Sequence, residues 1–199
     1  MSSCCVCLGL VFTALALIAS AVSLVAPFWY KEQYVSNHGL LAYCEPNDSE
    51  DDAFSQWWNH QTCVWFYEND FKWEIQRPLW WKAAQGLFAF GVLFLLTAFL
   101  TACVFLCSAC CKSLFVVHLV NGLLVMAFLT EGIALGLFGY MAYDKFDATY
   151  DRNSKVFFDW AFWVGCGGVL VDLIAILFYT CEGCRSGNSS AGYMAGEVV

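Results

Sequence analysis

Two acidic residues stand out in the sequence because they lie inside long apolar segments. Glu131 and Asp172 are each surrounded by a run of apolar residues that contains neither Lys nor Arg. A carboxylate inside a membrane is energetically costly, and an ionisable residue at such a position is a candidate for function. Two interpretations are open: the acids are protonated and hydrogen-bonded between neighbouring helices, or they form part of a path for ions or protons.

The 12 cysteines form two groups with different expected chemistry. Most lie at one set of ends of the apolar segments, whereas Cys44 and Cys63 lie in the long polar loop between the first two segments. Thiols clustered beside a membrane suit the reducing cytosol, where S-palmitoylation occurs, and an isolated pair suits a disulfide in an oxidising compartment. This partition predicts a Cys44–Cys63 disulfide outside the cell and both termini in the cytosol. The candidate acylation sites are Cys4, Cys5, Cys7, Cys107, Cys110, Cys111, Cys181 and Cys184.

Patterns typical of catalysis are missing from the sequence, and one metal site remains an alternative. No nucleophile–His–acid pattern and no Gly-rich phosphate-binding loop is legible. The histidines show no metal-ligand spacing with nearby acids: His38, His60 and His118. The spacings Cys107-x-x-Cys110 and Cys181-x-x-Cys184 leave a zinc site as an alternative to acylation. We predict that the protein is not an enzyme and uses no metal or cofactor.

The elements that position these residues follow from the composition. The chain is 60% hydrophobic and 13% charged, whereas a soluble domain carries about 25% charged residues. Its apolar runs each approach the ~20 residues that a spanning helix needs. Backbone polar groups must be satisfied internally in lipid, so these runs are helices. The four predicted spans cover about 6–27, 79–106, 114–143 and 160–180.

The sequence therefore predicts a mainly α membrane fold, a four-helix transmembrane bundle. Residues 1–184 form a single tetraspan domain with outer loops at about 28–78 and 144–159, and residues 185–199 form a disordered cytosolic tail. The first run has no Lys or Arg before it and exceeds the ~7–15 apolar residues of a signal peptide, which favours a retained span. The cysteine partition puts most Lys and Arg residues outside the cell. This conflicts with the positive-inside rule, by which Lys and Arg are more frequent in cytosolic loops. We give the cysteines more weight, because an inverted chain would expose the clustered thiols to oxidation.

The first outer loop is predicted to form a small antiparallel sheet. Short aromatic and β-branched segments at 33–35, 40–43 and 62–67 are separated by polar turn residues. The Cys44–Cys63 disulfide would hold this sheet together and stabilise it by roughly 3 kcal/mol in the chain-entropy model.

The same loop is strongly acidic. Residues 30–81 carry nine acidic and three basic residues, a net charge of −6. A surface of one sign concentrates counter-ions, and rings of acids favour cations in pores. Asn47-Asp48-Ser49 is also a glycosylation sequon. The densest acidic run, here called the acidic segment, contains Glu45, Asp48, Glu50, Asp51 and Asp52.

Two further patterns indicate contacts with other helices or proteins. Gly132 and Gly136 form a small-xxx-small pair, which predicts a helix-packing face on the third span. The chain ends Glu197-Val198-Val199, and a free carboxylate after an apolar residue can add as a strand to a PDZ-type groove.

The layout and several motifs resemble the claudin superfamily, which includes the peripheral myelin protein group and channel gamma subunits. The family's first outer loop carries a Trp, then the motif G-L-W-x-x-C, then a second Cys. Trp29 matches the first Trp, and Cys63 matches the second Cys. Gly39-Leu40-Leu41-Ala42-Tyr43-Cys44 matches the motif between them, with Leu41 in place of Trp. The spacing between the two cysteines is longer than is usual in the family. Ala83-Ala84-Gln85 is similar to the Ala-Ala-Arg at the start of the family's second span, with Gln85 in place of Arg. Phe158-Asp159-Trp160-Ala161-Phe162-Trp163 is similar to the family's aromatic entry to the fourth span.

The resemblance implies a plasma-membrane protein of cell contacts. Such a protein shapes paracellular permeability or adhesion and forms oligomers in cis and in trans with similar tetraspan proteins. Trp29 would anchor the outer sheet to the membrane, and the acidic segment would tune which ions approach. Expected partners are membrane lipid and a PDZ-type scaffold, and no nucleic acid. An auxiliary subunit of a channel is the alternative function, and a transporter that uses Glu131 and Asp172 is a third.

Overall fold

The computed structural model describes most of the apolar part of the chain and the core of the first loop. The described residues are 4–32, 36–46, 61–65, 78–107, 114–149 and 157–195. The helices are α1 (Cys4–Val25), α2 (Leu79–Cys107), α3 (Leu114–Thr149) and α4 (Trp160–Ala195). The strands are β1 (Tyr30–Glu32), β2 (Ser36–His38), β3 (Ala42–Pro46), β4 (Gln61–Trp65) and β5 (Phe157–Phe158).

Each of the four helices is long and apolar enough to cross a membrane, as the sequence predicts. The candidate spans are Cys5–Val25, Leu79–Phe105, Phe115–Tyr143 and Trp160–Cys184. Their outward faces carry large apolar side chains such as Ile18, Phe90 and Leu170, which are all more than half exposed. Faces of this kind suit contact with lipid tails rather than water.

The helices pack as a ring in which α1 contacts α2 and α4, and α3 contacts the same two helices. Two clusters of buried apolar side chains fill the interior. The aromatic cluster, which includes Trp29, Trp81, Phe88, Phe138 and Phe162, lies at the end of the bundle that carries the sheet. The aliphatic cluster, which includes residues such as Leu95 and Leu124, lies at the other end.

Small residues let α1 and α4 approach closely. A Cβ atom added to Gly168 would lie 2.9 Å from Oγ of Ser20, and one added to Gly165 would lie 2.7 Å from Oγ of Ser23. At the other end of this contact, a Cβ on Gly9 would lie 2.9 Å from a ring carbon of Tyr179. The two helices therefore run antiparallel, with glycines where the backbones come closest.

The small-xxx-small pair on α3 does not form the predicted packing face within the described part of the chain. A Cβ atom added to Gly132 or Gly136 would meet nothing within 4 Å. The inward face of α3 is instead set by Glu131, Ala134 and Phe138, which are fully buried. Gly132 and Gly136 lie one turn apart on a different face of α3. Their spacing shows that they share a face, but it does not show whether that face points into the bundle.

Among the described residues, one antiparallel sheet has the strand order β4-β3-β2-β1-β5. The predicted strands at 40–43 and 62–67 overlap β3 and β4, and the predicted strand at 33–35 lies outside the described residues. The last strand, β5, comes from the second outer loop and pairs with β1, with Tyr30 opposite Phe158. The prediction that the first loop alone forms the sheet was therefore incomplete.

Two helices are longer than the sequence predicts. Helix α3 continues to Thr149, into the predicted loop at 144–159, and α4 continues to Ala195, into the predicted disordered tail at 185–199. Neither extension contains a proline, the residue that most strongly breaks a helix. The glycines and serines of the tail suggested disorder but do not interrupt this helix.

Candidate functional site

Trp29 joins the sheet to the helix bundle. Its side chain is fully buried, and its indole Nε1 donates a hydrogen bond to the backbone carbonyl of Ser23 at 2.6 Å. Its ring meets Phe88, Phe138 and Phe162 edge-on, at centroid distances of 5.2, 5.0 and 5.7 Å. These partners come from α2, α3 and α4, so one indole contacts all four helices in the edge-to-face geometry that aromatic rings prefer.

The backbone around Trp29 holds the strands at the same place. The amide of Trp29 donates to the carbonyl of His38 in β2 at 3.0 Å, and the amide of Asp159 donates to the carbonyl of Trp29 at 3.1 Å. The Ser23 hydroxyl donates to the carbonyl of Ala161 at 2.8 Å. Trp29 was predicted to anchor the sheet to the membrane. The structure buries it inside the protein instead, because three aromatic rings and a backbone acceptor satisfy both its apolar and its polar parts.

Gly39 and Leu40, which belong to the loop motif, complete this junction. A Cβ atom on Gly39 would lie 2.5 Å from Cα of Pro27 and 2.6 Å from the carbonyl oxygen of Ala26, so a side chain there would collide with backbone. The turn is closed by a hydrogen bond of 2.9 Å from the amide of Gly39 to the carbonyl of Ala42. Leu40 is fully buried in the aromatic cluster. The glycine therefore allows the loop to lie directly against the end of α1.

The predicted disulfide is confirmed. Cys44 of β3 and Cys63 of β4 lie opposite each other in the antiparallel register and are bonded. Cys44 is fully buried, and Cys63 is exposed. The bond brackets the chain segment between β3 and β4, to which most of the acidic segment belongs.

Most of the predicted outer-surface residues lie outside the described part of the structure. Glu45 belongs to β3, although its side chain is not among those described. The remaining acidic residues and the sequon asparagine lie in the connection from β3 to β4 and stay predictions: Asn47, Asp48, Glu50, Asp51 and Asp52.

Glu131 and Asp172, by contrast, lie in the interior. Both are fully buried, Glu131 on α3 and Asp172 on α4. The Ser20 hydroxyl donates a hydrogen bond of 2.7 Å to Oε2 of Glu131. Gly91 of α2 makes room for the acid, because a Cβ atom there would collide with Cγ of Glu131. Helices α1, α2 and α3 thus meet at Glu131, through Ser20, Gly91 and the acid itself.

Part of this acidic pair has no hydrogen-bond partner among the described residues. Oε1 of Glu131 and both carboxylate oxygens of Asp172 are buried without a donor there. The predicted hydrogen bonding between α3 and α4 through these acids is therefore not observed, and the bond that Glu131 does make comes from α1. No group of three or more His, Cys, Asp or Glu residues converges on a metal position in the described ranges.

The cysteines of the candidate acylation set lie at the end of the bundle opposite the sheet. Cys7, Cys181 and Cys184 are exposed and unbonded, and Cys5 is partly buried and unbonded. Cys4 and Cys107 lie in terminal turns of α1 and α2, and Cys110 and Cys111 lie outside the described residues. Exposure at a helix end is what acylation requires, and acylation itself, like the zinc alternative, stays a prediction.

Comparison with known proteins gives no assignment for this chain. No protein-family model matches it, and no curated protein matches it. The functional conclusion below therefore depends on the geometry and on the residues themselves.

The sequence did not predict several residues that build the junction at Trp29 and the surroundings of Glu131. The sequence did not single out Ser20 or Ser23, although each uses its hydroxyl in a buried hydrogen bond. Gly91 and Phe138 carried no signal, because a glycine or a phenylalanine in an apolar span is common. Serines three residues apart in an otherwise apolar helix were the one available hint.

Proposed function

We propose that the protein is a tetraspan plasma-membrane protein of cell contacts that sets paracellular permeability or adhesion. The role at cell contacts comes from the resemblance to the claudin superfamily, and the structural observation that supports the proposal is the junction at Trp29. A sheet that is hydrogen-bonded and packed onto four helices, and closed by a disulfide, is a rigid platform at one end of a bundle. Rigid platforms suit recognition, because less conformational freedom is lost on binding.

The proposed orientation places the sheet outside the cell and both termini in the cytosol. A disulfide at the sheet end suits an oxidising compartment, and the free thiols at the opposite end suit a reducing one. The resemblance to the claudin superfamily agrees with this orientation and adds the expectation of oligomers with similar tetraspan proteins.

The proposed role of the acidic segment is to select cations. It begins at Glu45 in β3, next to the bonded Cys44, so the disulfide fixes where the segment leaves the sheet. A concentration of carboxylates there raises the local concentration of cations and lowers that of anions. In a passage between cells, this would favour Na⁺ over Cl⁻.

The test is electrical. The full chain is expressed in an epithelial monolayer that lacks its own claudins, and transepithelial resistance and Na⁺/Cl⁻ dilution potentials are recorded while the protein is imaged. We expect concentration at contacts and a cation-biased dilution potential, which decreases in a variant carrying Glu50→Gln, Asp51→Asn and Asp52→Asn.

A matched control separates local charge from total charge. Asp144→Asn and Asp147→Asn at the end of α3, together with Asp151→Asn, remove the same number of charges outside the acidic segment and should leave most of the cation bias intact. Correct surface delivery with no change in resistance or ion preference would contradict the proposal. Stoichiometric co-purification of a channel in that case would assign the alternative, an auxiliary subunit.

A further inference from the structure

The Cys44–Cys63 disulfide joins an edge strand of the described sheet to a strand that is held on both sides. The strand order is β4-β3-β2-β1-β5, so β4 pairs only with β3, whereas β3 also pairs with β2. In that second pairing, Asn37 of β2 lies opposite Cys44. Without the disulfide, β4 would be attached to the described sheet by a single ladder of strand pairing.

The two bonded strands also differ in burial. Ala42 and Cys44 of β3 are fully buried. In β4, Cys63 is exposed, and Val64 and Trp65 are only partly buried. Local stability is lower where fewer apolar contacts are buried. β3 therefore belongs to the firmly held part of the sheet, and β4 is its weakly held edge.

The two sulfurs of the bond are not equally accessible. Cys44 is 0% exposed, so an external reagent cannot reach its sulfur in the folded protein, whereas Cys63 is an exposed residue. Thiol–disulfide exchange begins when a thiolate approaches one of the two sulfurs, and its rate depends on access to that sulfur. Exposed disulfides are also reduced more readily than buried ones and are more often regulatory. This arrangement favours attack from the Cys63 side.

We propose that this disulfide is a redox-controlled clasp, which a dithiol in the outer solution opens by attack on the sulfur of Cys63. One thiolate of the dithiol bonds to Cys63, the bond to Cys44 breaks, and its electron pair stays on the Cys44 sulfur, which takes up a proton. The second thiol, as thiolate, then attacks the reagent's own sulfur in the mixed disulfide and releases Cys63, which also takes up a proton. The dithiol becomes a disulfide, and two electrons and two protons pass to the protein.

Opening the clasp loosens β4 and leaves the rest of the described sheet on the bundle. The two cysteines are separated by 19 positions, and the acidic segment lies in the chain between them. Breaking the bond removes the closure of this loop, so the carboxylates are less confined beside β3. Because strand pairing places Cys63 opposite Cys44, oxidation re-forms the same bond. The effect on ion selection rests on the function proposed above, whereas the chemistry of the clasp does not.

The first test identifies the sulfur that is attacked. Free thiols of the purified full-length protein in detergent are blocked with N-ethylmaleimide, and the protein is treated with thioredoxin whose second active-site cysteine is replaced by serine. This reagent cannot complete the exchange and stays bound to the sulfur that it attacks. After acid quenching, peptide mass spectrometry should find about tenfold or more cross-link on Cys63 than on Cys44, because Cys44 is buried.

Unfolded protein is the control for the intrinsic reactivity of the two sulfurs. In urea both sulfurs are accessible, and the cross-link should be shared between Cys44 and Cys63 within about twofold. A preference that appears only in the folded protein belongs to the structure. A folded protein that forms no cross-link, or forms it on Cys44 as often as on Cys63, would overturn the proposal.

The second test follows the loosening of β4. After reduction with dithiothreitol, amide hydrogen exchange in β4 should accelerate by about tenfold or more, while exchange in β1, β2 and α1 to α4 stays as before. Oxidised glutathione should then restore the slow rate. The matched control carries Cys44→Ala and Cys63→Ala, and its β4 should exchange rapidly with or without the dithiol. Unchanged exchange in β4 after complete reduction, or an equal response of the control to dithiothreitol, would refute the clasp.

The third test connects the clasp to ion selection. Reduced thioredoxin in the outer solution of the epithelial monolayer should remove most of the cation bias of the dilution potential, and thioredoxin without active-site cysteines should leave it intact. A bias that persists after alkylation shows Cys44 and Cys63 to be reduced would contradict the control of ion selection by the clasp. A bias that is absent before reduction would contradict the proposed function, and the first two tests would still decide the clasp.

Discussion

The junction at Trp29 and the buried acids Glu131 and Asp172 both place polar atoms between apolar side chains, but they differ in how those atoms are satisfied. At the junction, the indole of Trp29 and the hydroxyl of Ser23 each donate to a backbone carbonyl. At the two acids, one carboxyl oxygen receives a hydrogen bond and three have no donor among the described residues. A fully paired buried network makes a structure rigid, whereas an unpaired buried polar group costs stability. The junction is therefore the anchor of the fold, and the acids are the part of the interior that costs stability.

The largest effect is expected from removing the indole at the junction. Trp29→Ala should destabilise the protein by about 3–5 kcal/mol, because it empties a pocket that all four helices line. The matched control is Trp163→Ala, since Trp163 is 61% exposed on α4, whereas Trp29 is 0% exposed. Thermal unfolding in detergent and surface delivery in cells would measure the difference. Comparable losses in the two variants would mean that Trp29 is not the anchor.

A smaller effect is expected from opening the disulfide. The double change Cys44→Ala and Cys63→Ala should cost roughly 3 kcal/mol, since it releases the loop between β3 and β4. The loss should appear in the sheet, as faster amide hydrogen exchange in β3 and β4, while α1 to α4 exchange as before. Uniform acceleration throughout the bundle would show instead that the sheet and the helices unfold as one unit.

The smallest and most discriminating comparison uses two serines on one helix. Ser20 and Ser23 are both fully buried. The Ser20 hydroxyl donates a hydrogen bond of 2.7 Å to the carboxylate of Glu131, and the Ser23 hydroxyl donates one of 2.8 Å to the backbone carbonyl of Ala161. Ser23→Ala should cost about 1 kcal/mol of stability. Ser20→Ala should cost about 1.5–3 kcal/mol where Glu131 is ionised, because hydrogen bonds to charged groups are stronger. Thermal unfolding midpoints of both variants in detergent test this, and identical costs would contradict the difference between the two regions.

The sequence predicts the helices and the disulfide because both leave local signals. Apolar runs of spanning length identify α1 to α4, and a cysteine pair set apart from the clustered thiols identifies Cys44 and Cys63. The loop motif also marks Gly39, but only the structure gives the reason, which is the contact with the backbone of Ala26 and Pro27. Features of this kind depend on a residue and its immediate neighbours.

The features that the sequence does not predict depend on residues far apart in the chain. Strand β5 is two residues long, and nothing in Phe157-Phe158 indicates that β1 is its partner. The orientation of α3 decides that Glu131 points inward and Gly132 does not, and that orientation is set by packing against α2 and α4. The hydrogen-bond partner of the buried acid, Ser20, lies on α1, and the whole of α2 separates it from Glu131 in the chain.

The pairing of β5 with β1 has a consequence for the order of events during synthesis. β1 leaves the ribosome early, but its neighbour β5 is made just before α4, and Phe162, which forms one wall of the Trp29 pocket, lies in the first turn of α4. The sheet therefore cannot be completed until α4 has entered the membrane. Until then, the indole of Trp29 lacks part of its pocket, and a chain that stops before α4 presents an exposed aromatic residue to the cell's folding surveillance.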